Sequence, residues 1–500
     1  MKEYCMKTKR VFQASFVILT YVVLGCFVAG AVSEEASVVT YPAPDGADQA
    51  DDLAVKINGK EIFVYDSQVA AFAYFSFNGK VTVSVIADRD VDKVDIRPKS
   101  HGIVYSIKGK AINFQLDRPC NLSVEINGDI KRPIFVFANP LEKDPPNPGD
   151  ENVRYFESGK IHEAGEINVS NGQTVYIAGG AIVRGRIRAE EAQNARVIGR
   201  GILDGSGRNY KTQMIKLSKC SNVELNGIIV LNSYGWTVVP VKSDDIRIVN
   251  VKIIGWRDND DGVDIVGCKN LTIESCFFRT KDDCIAVKAS PGYFEEGESG
   301  LRNVEGVRVL NSVLWNAEWG NAMEIGFELQ TKSISDVFFK NCDIIHVERG
   351  GTFTIHNGDF AMVENISFED IRVEDSRDKL IELRVGLSIY SADCPWELHR
   401  KNPNRKRSSL GQWVPAEAVK EGEHAGHRGH IRNIHFNNIA VTGPNLPKSY
   451  IIGYDDAHGV ENVVVENLHF NGKRILNAEA GSFTIEKAKN VRFVESSDTR

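Results

Sequence analysis

From about residue 152 onward the sequence repeats itself, and that repeat limits which folds the chain can adopt. A Val, Ile or Leu opens a short phrase of alternating residues at Val197, Val223, Ile246, Leu271, Val307, Val337, Ile366, Ile434, Val463 and Val491. The intervals are 26, 23, 25, 36, 30, 29, 68, 29 and 28 residues. Units of this length, rich in β-branched residues and without helical spacing, mark a right-handed parallel β-helix, because each coil leaves an apolar face that only the next coil can bury. Asn precedes the anchor at Asn222, Asn270, Asn365, Asn433, Asn462 and Asn490, as expected if each coil turns through a left-handed residue. The leucine-rich consensus and the Trp-Asp signature of competing repeat folds are missing from the sequence. The two long intervals predict insertions near 291–300 and 396–428.

Upstream, residues 36–140 carry short β-branched and aromatic runs such as Ile62-Phe63-Val64-Tyr65 and Val81-Thr82-Val83-Ser84-Val85-Ile86, separated by Asn-Gly and Asp-rich turns. These predict a small β-sandwich. Prolines at 140, 145, 146 and 148 then read as a linker, so the expected division is 36–150 for sandwich and linker and 151–500 for the helix, an all-β chain. Residues 1–33 have the layout of a secretory signal peptide: Lys2, Lys7, Lys9 and Arg10 precede an apolar run that ends at Ala31-Val32-Ser33. A secreted or periplasmic location follows, with a lipid anchor through Cys26 or an uncleaved anchor as the other options. Nothing later predicts membrane insertion of the mature chain.

Removing residues 1–33 takes away four basic residues and Glu3, which moves the formal charge from -7 to -10. An acidic chain of this kind is a poor nucleic-acid binder. Seven of the nine cysteines remain (Cys120, Cys220, Cys268, Cys276, Cys284, Cys342, Cys394), without metal-type spacing. An odd number leaves at least one thiol unpaired, and most are expected to be buried small hydrophobes.

Equivalent residues of successive coils stack about 4.8 Å apart, so alignment of the repeats becomes geometry. Val263-Asp264-Ile265, Ile285-Ala286-Val287, Met323-Glu324-Ile325, Phe353-Thr354-Ile355 and Ile381-Glu382-Leu383 superpose, the middle residue of each facing outward. Two positions earlier stand Asp261, Asp283, Asn321, Gly351 and Lys379; one further back stand Asp260 and Asp282. Four carboxylates are thus expected on one edge of two strands, where like charges push at least one pKa upward. Glycoside hydrolysis with inversion needs one protonated carboxyl for the leaving oxygen and one ionised carboxyl for water, about 6.5–9.5 Å apart, and the Asp261–Asp282 diagonal is the candidate pair. The plainer alternative is that these Asp residues cap turns or bind a structural cation; the number of acids on one edge favours catalysis.

Asn259-Asp260-Asp261-Gly262-Val263-Asp264 resembles the N-T-D-G-I-D motif of glycoside hydrolase family 28, the polygalacturonases, and Lys281-Asp282-Asp283-Cys284-Ile285-Ala286-Val287-Lys288 resembles its G-D-D-C-I-A-I-K. Asn232-Ser233 followed by Trp236 is similar to its N-S-P-x-W segment. The β-sandwich ahead of the helix, Ala178 to Gly185, and Glu324-Ile325-Gly326-Phe327 resemble glycoside hydrolase family 49, the dextranases and isopullulanase. The resemblance covers about residues 150–490 and implies an inverting glycoside hydrolase in which Asp282 is the general acid while Asp261 and Asp283 hold the water. The chain departs from family 28 at Gly320-Asn321-Ala322, where the family has Gly-His-Gly, and at Thr354-Ile355-His356, where it has Arg-Ile-Lys. Loss of that Arg and Lys, with Glu324 adding an anion, predicts a neutral sugar or one whose acid group lies away from the cleaved position. Asp264, Lys288, Asn321, Glu324, His356, Arg384 and Trp236 are the expected substrate-binding residues.

Other features are weaker. His424, His427 and His430 are spaced to gather a metal, but a Gly-rich basic segment reads better as a solvated lid. Of Trp236, Trp256, Trp315 and Trp319, about two are expected near the groove as sugar platforms. No cofactor and no metal are expected, and the partner is a polysaccharide or oligosaccharide bound by a monomer. The competing functions are a polysaccharide lyase acting on a uronate polymer and a non-catalytic carbohydrate-binding β-helix.

Overall fold

The computed structural model describes residues 37–207, 211–290, 302–401, 412–415, 418–420 and 422–495. The signal peptide with Cys26, the 291–300 insertion and much of the later insertion lie outside the described residues.

From Val153 to Val494 the chain winds as a parallel β-helix, each strand pairing with its counterpart one coil on. Val223 pairs with Ile246, Ile246 with Leu271, Leu271 with Val307, and the register continues through Val337, Ile366, Ile434 and Val463 to Val491. The first anchor is off by two: Val197 pairs with Leu225. The turn residue Asn222 donates to Asn194 Oδ1, so Ala195 is the true equivalent of Val223, too small for a pattern of large aliphatics to single out. All six predicted Asn residues are left-handed, with φ between 51° and 59°. Their amides stack from coil to coil, Asn490 on Asn462, Asn462 on Asn433 and Asn433 on Asn365, which satisfies side-chain polar groups along a turn the core cannot reach.

Residues 37–140 form two sheets, one of six strands and one of five, whose inner faces share the core of Val55, Phe75, Val83, Val85, Leu122 and Val136. A second apolar seam joins them to the helix: Tyr65, Phe72, Phe135 and Phe137 pack on Ile202, Ile229, Phe277, Trp315 and Ile345. Phe135 lies 4.8 Å from Phe277 between ring centroids. Lys252 is fully buried beside this seam, its ammonium donating to Asn139 Oδ1 and to Asn250.

All seven described cysteines are free thiols, six of them buried, as their reading as small hydrophobes requires. Among the described residues no helix is long and apolar enough to cross a membrane.

Candidate active site

The register places the expected columns side by side. Asp264 pairs with Ala286, Ala286 with Glu324, Glu324 with Thr354 and Thr354 with Glu382. Val263 and Ile265 point into the core, which turns Asp264 outward between them. Asp261, Asp282 and Asp283 offer one carboxylate oxygen each within 4.8 Å of one another. These are the nearest oxygens of the three groups, so the carboxyls themselves lie somewhat farther apart.

Asp260 corrects the expectation of four acids on one edge. It is buried and turned away, accepting from the Arg257 and Lys281 backbone N–H groups at 2.7 Å each, so it ties two turns together. Burial holds its carboxyl up at about 7. Asp264 takes its place in the cluster, with Lys288 Nζ 3.2 Å from Asp264 Oδ1 and 3.8 Å from Asp261 Oδ2. Lys288 also lies 4.1 Å from the centre of the Trp236 ring.

Burial is the largest cause that raises each of the four carboxyls. It pushes Asp261 and Asp283 well above the carboxylate range, with neighbouring Asp charges adding to the rise. Asp282 is raised too, although Lys288 opposes the rise, and Asp264 reaches about 7 against the same cation. Burial and mutual repulsion thus raise four carboxyls around one ammonium, the kind of perturbation that paired acid and base work uses. Asp282, the least buried, opens onto a cavity of about 210 Å3 lined by Trp319, Arg349, Ile389, Tyr390 and Gln412. Gly320 forms its floor at φ 69°, and a Cβ there would lie 2.5 Å from Asp282 Oδ1.

Glu324 and His356 were expected to touch substrate, but both are fully buried. Asn321 donates from its backbone N–H to Asp283 Oδ1 at 2.7 Å, and from its side-chain amide to Asp283 Oδ1 at 3.2 Å and Glu324 Oε2 at 3.0 Å. Glu324 Oε1 lies 3.0 Å from His356 Nδ1, and His356 Nε2 lies 3.1 Å from Glu382 Oε2. Lys379 caps this row by donating to Glu382. Burial alone would lower the His356 pKa, but Glu324 and Glu382 outweigh it and hold the imidazole up to about 9. Arg384 does not join the acids; it lies 3.9 Å from Glu382 Oε1 and 4.7 Å from the Trp413 ring centre.

The cover over this row was not legible in the sequence. Residues 386–391 and 412–414 cross the outward face as a strap, bridged at Ser388 and Trp413 and packed through Leu387, Ile389 and Val414. Phe327 stacks on His356 at 4.4 Å, and Trp413 meets it edge-on at 5.5 Å. Tyr390, Arg349 and Gln412 are site residues that no repeat column marks. Among the four tryptophans, Trp319 lines the cavity and Trp236 stands by Lys288, whereas Trp315 is buried against the sandwich. His424 is tied to Asp393 at 2.8 Å, and among the described residues it belongs to no group of three metal-type ligands.

Residues 164–383 match the sequence profile of glycosyl hydrolases family 28, a span that contains all three clustered acids together with Asn321, Glu324 and His356. The match covers somewhat less than half of the chain, and over that span the chain is similar to family 28. The family 28 resemblance extends to a "Probable exopolygalacturonase B" of Neosartorya fischeri, 23% identical over 291 residues, 55% of this chain and 56% of that protein. A "Probable polygalacturonase" of Vitis vinifera is 35% identical over 111 residues, 19% of this chain and 22% of that protein. The chain therefore spans about half or less of the length of these relatives. Dex49A from Penicillium minioluteum shares the fold, with TM-score 0.63 and 14% identity over 91% of this chain and 96% of that one.

Proposed function

We propose that the protein is a secreted, inverting glycoside hydrolase and that residues 151–500 are its catalytic part. The observation that carries this reading is the meeting of Asp261, Asp282 and Asp283 within 4.8 Å beside a cavity with room for about one sugar ring. Asp282, on the cavity wall, is the general acid for the leaving oxygen; Asp261 and Asp283, deeper and joined by Lys288 and Asn321, hold and activate water. Asp264 tunes the pair through Lys288. Inversion is supported by the family resemblance and by the presence of two carboxyls for one water, not by carboxyl spacing.

The substrate is a glycan with a neutral sugar at the cleaved position, since Thr354 and His356 replace a basic pair and are both buried. Glu324 does not strengthen that argument, because His356 balances its charge. A second reading is favoured by Arg349, whose guanidinium lies 4.2 Å from the Trp319 ring centre on the cavity wall: a ring bearing a carboxylate.

Digestion of dextran, pullulan, xylogalacturonan and polygalacturonate, with nuclear magnetic resonance of the first product, tests both parts. Release of the inverted anomer from a neutral glycan is expected. A retained anomer overturns the mechanism, an unsaturated product would establish a lyase, and efficient polygalacturonate cleavage moves the substrate to the second reading.

A further inference from the structure

The row from Asp283 to Lys379 contains more buried charge than acid catalysis needs. Glu324, His356 and Glu382 are fully buried, and Lys379 is 1% exposed. Uncompensated burial of any of these groups is costly, so each must be held by another. Asn321 is fixed by three contacts: Gly351 N–H donates to its Oδ1 at 2.8 Å, while its amide donates to Asp283 and to Glu324. Its orientation therefore depends on Glu324 staying in place. Glu324 in turn accepts from Thr354 Oγ1 and faces His356 Nδ1.

We propose that His356 is a positioning residue for Asp283: clamped between Glu324 and Glu382, it fixes Glu324, which with Asn321 holds Asp283 at the reaction centre. This rests on the reading of Asp283 as a water-holding carboxylate. His356 Nδ1 is hydrogen-bonded to Glu324 Oε1, while its Nε2 lies 3.1 Å from Glu382 Oε2 as an ion pair without a hydrogen bond, and a carboxylate beside each nitrogen favours the imidazolium. The charged groups facing His356 are Glu324 from the preceding coil and Glu382 from the following one, with Lys379 and Arg384 beyond Glu382; Phe327 and Trp413 close its ring faces. With the imidazolium in place the Glu324 charge is balanced locally. Without it, that charge bears on Asp283, whose carboxyl Glu324 already pushes upward. His356 thus stands at one strand position of the family 28 basic pair, and its charge acts along the covered outward face toward Asp283.

The test compares the parent with His356→Gln and His356→Lys, the second keeping a cation. One measurement needs no substrate: in protein labelled at the aspartate carboxyl carbons, the resonance missing from Asp283→Asn reports the Asp283 titration. Its midpoint is expected to rise by about one pH unit in His356→Gln and to return in His356→Lys. On the glycan the parent cleaves, His356→Gln is expected to lower kcat by about 30-fold with KM within about threefold, and to move the acid limb of the pH profile upward in step. A purely structural role would lower the melting temperature and leave both the Asp283 midpoint and the limb unchanged, which overturns the proposal. If the parent cleaves no glycan, the hydrolase reading falls, while the Asp283 midpoint still decides the clamp.

Discussion

Lys288 holds its ammonium 3.2 Å from Asp264 Oδ1, both side chains almost wholly out of solvent, in the middle of the buried acids. The cation lowers the carboxyls of Asp264 and Asp261 against burial. Lys288→Met removes that opposition, so both carboxyls keep their protons to higher pH. The expected result is a fall in kcat/KM of about 10- to 100-fold, greatest at the acid end, with the acid limb moved upward. A pH-rate series checks it, and a loss equal at every pH would point to damage of another kind.

Asp282→Asn should leave the fold intact and reduce turnover by about a thousandfold or more, because an amide has no proton to give the leaving oxygen. Circular dichroism and turnover of the same preparation check both halves. Activity within about tenfold of the parent would remove Asp282 from the acid role.

Gly320→Ala carries a different expectation. Its Cβ would come within 2.3 Å of the Asp283 backbone N and 2.5 Å of Asp282 Oδ1, at a φ of 69° that disfavours any side chain. The strand edge must shift, so kcat should fall by about 100-fold, with a modest loss of melting temperature, because the strain falls on the acids and not on the core.

The three acids also have the spacing of a cation site. Lys288 Nζ, 3.8 Å from Asp261, already supplies a positive charge there, and Asp258, the other acid near the turn, pairs with Lys281 at 2.8 Å. Dialysis against a chelator should leave the rate within about twofold of the parent. A loss restored by calcium would transfer these oxygens to a metal.

A separate prediction concerns the seam between sandwich and helix. His346 lies 2.8 Å from Glu125 of the sandwich and 2.8 Å from Asp375 of the helix, and Arg97 joins Glu125 to Glu374. Burial alone would lower the His346 pKa, yet the two carboxylates raise it, and they are themselves held below their ordinary range. The raised His346 contributes fully below its unfolded value of about 6.5 and loses that contribution as pH rises through its folded value. The depressed acids contribute above their unfolded values of about 4 and lose it as pH falls through their folded ones. His346→Gln should therefore destabilise by about 3 kcal/mol between about pH 4.5 and 6.5, and by less at alkaline pH. Denaturation of parent and variant at pH 6 and pH 9 checks the sign.

The sequence made the helix legible because its coils stack in register, and that register carried Asp261, Asp264, Asp282, Asp283 and Lys288 to one place. It failed where a residue left its column. Asp260 turns away because two backbone N–H groups claim it, which no spacing reveals. Glu324 and His356 do face outward, but the strap from 386–391 and 412–414 covers them, and a segment with no repeat has no partner in the sequence to align against. Ala195 was hidden because a turn set by Asn194 needs only a small residue after it.

The apolar seam also has an order in time. Phe135 and Phe137 belong to a sandwich complete by residue 140, while their counterparts Phe277, Trp315 and Ile345 come much later in the chain. At about 5–20 residues per second, the roughly 200 residues in between take about 10–40 s to appear. For that interval the first-formed lobe has its aromatic face bare, and the surface that finishes the protein is also the one through which unfinished copies would adhere to one another.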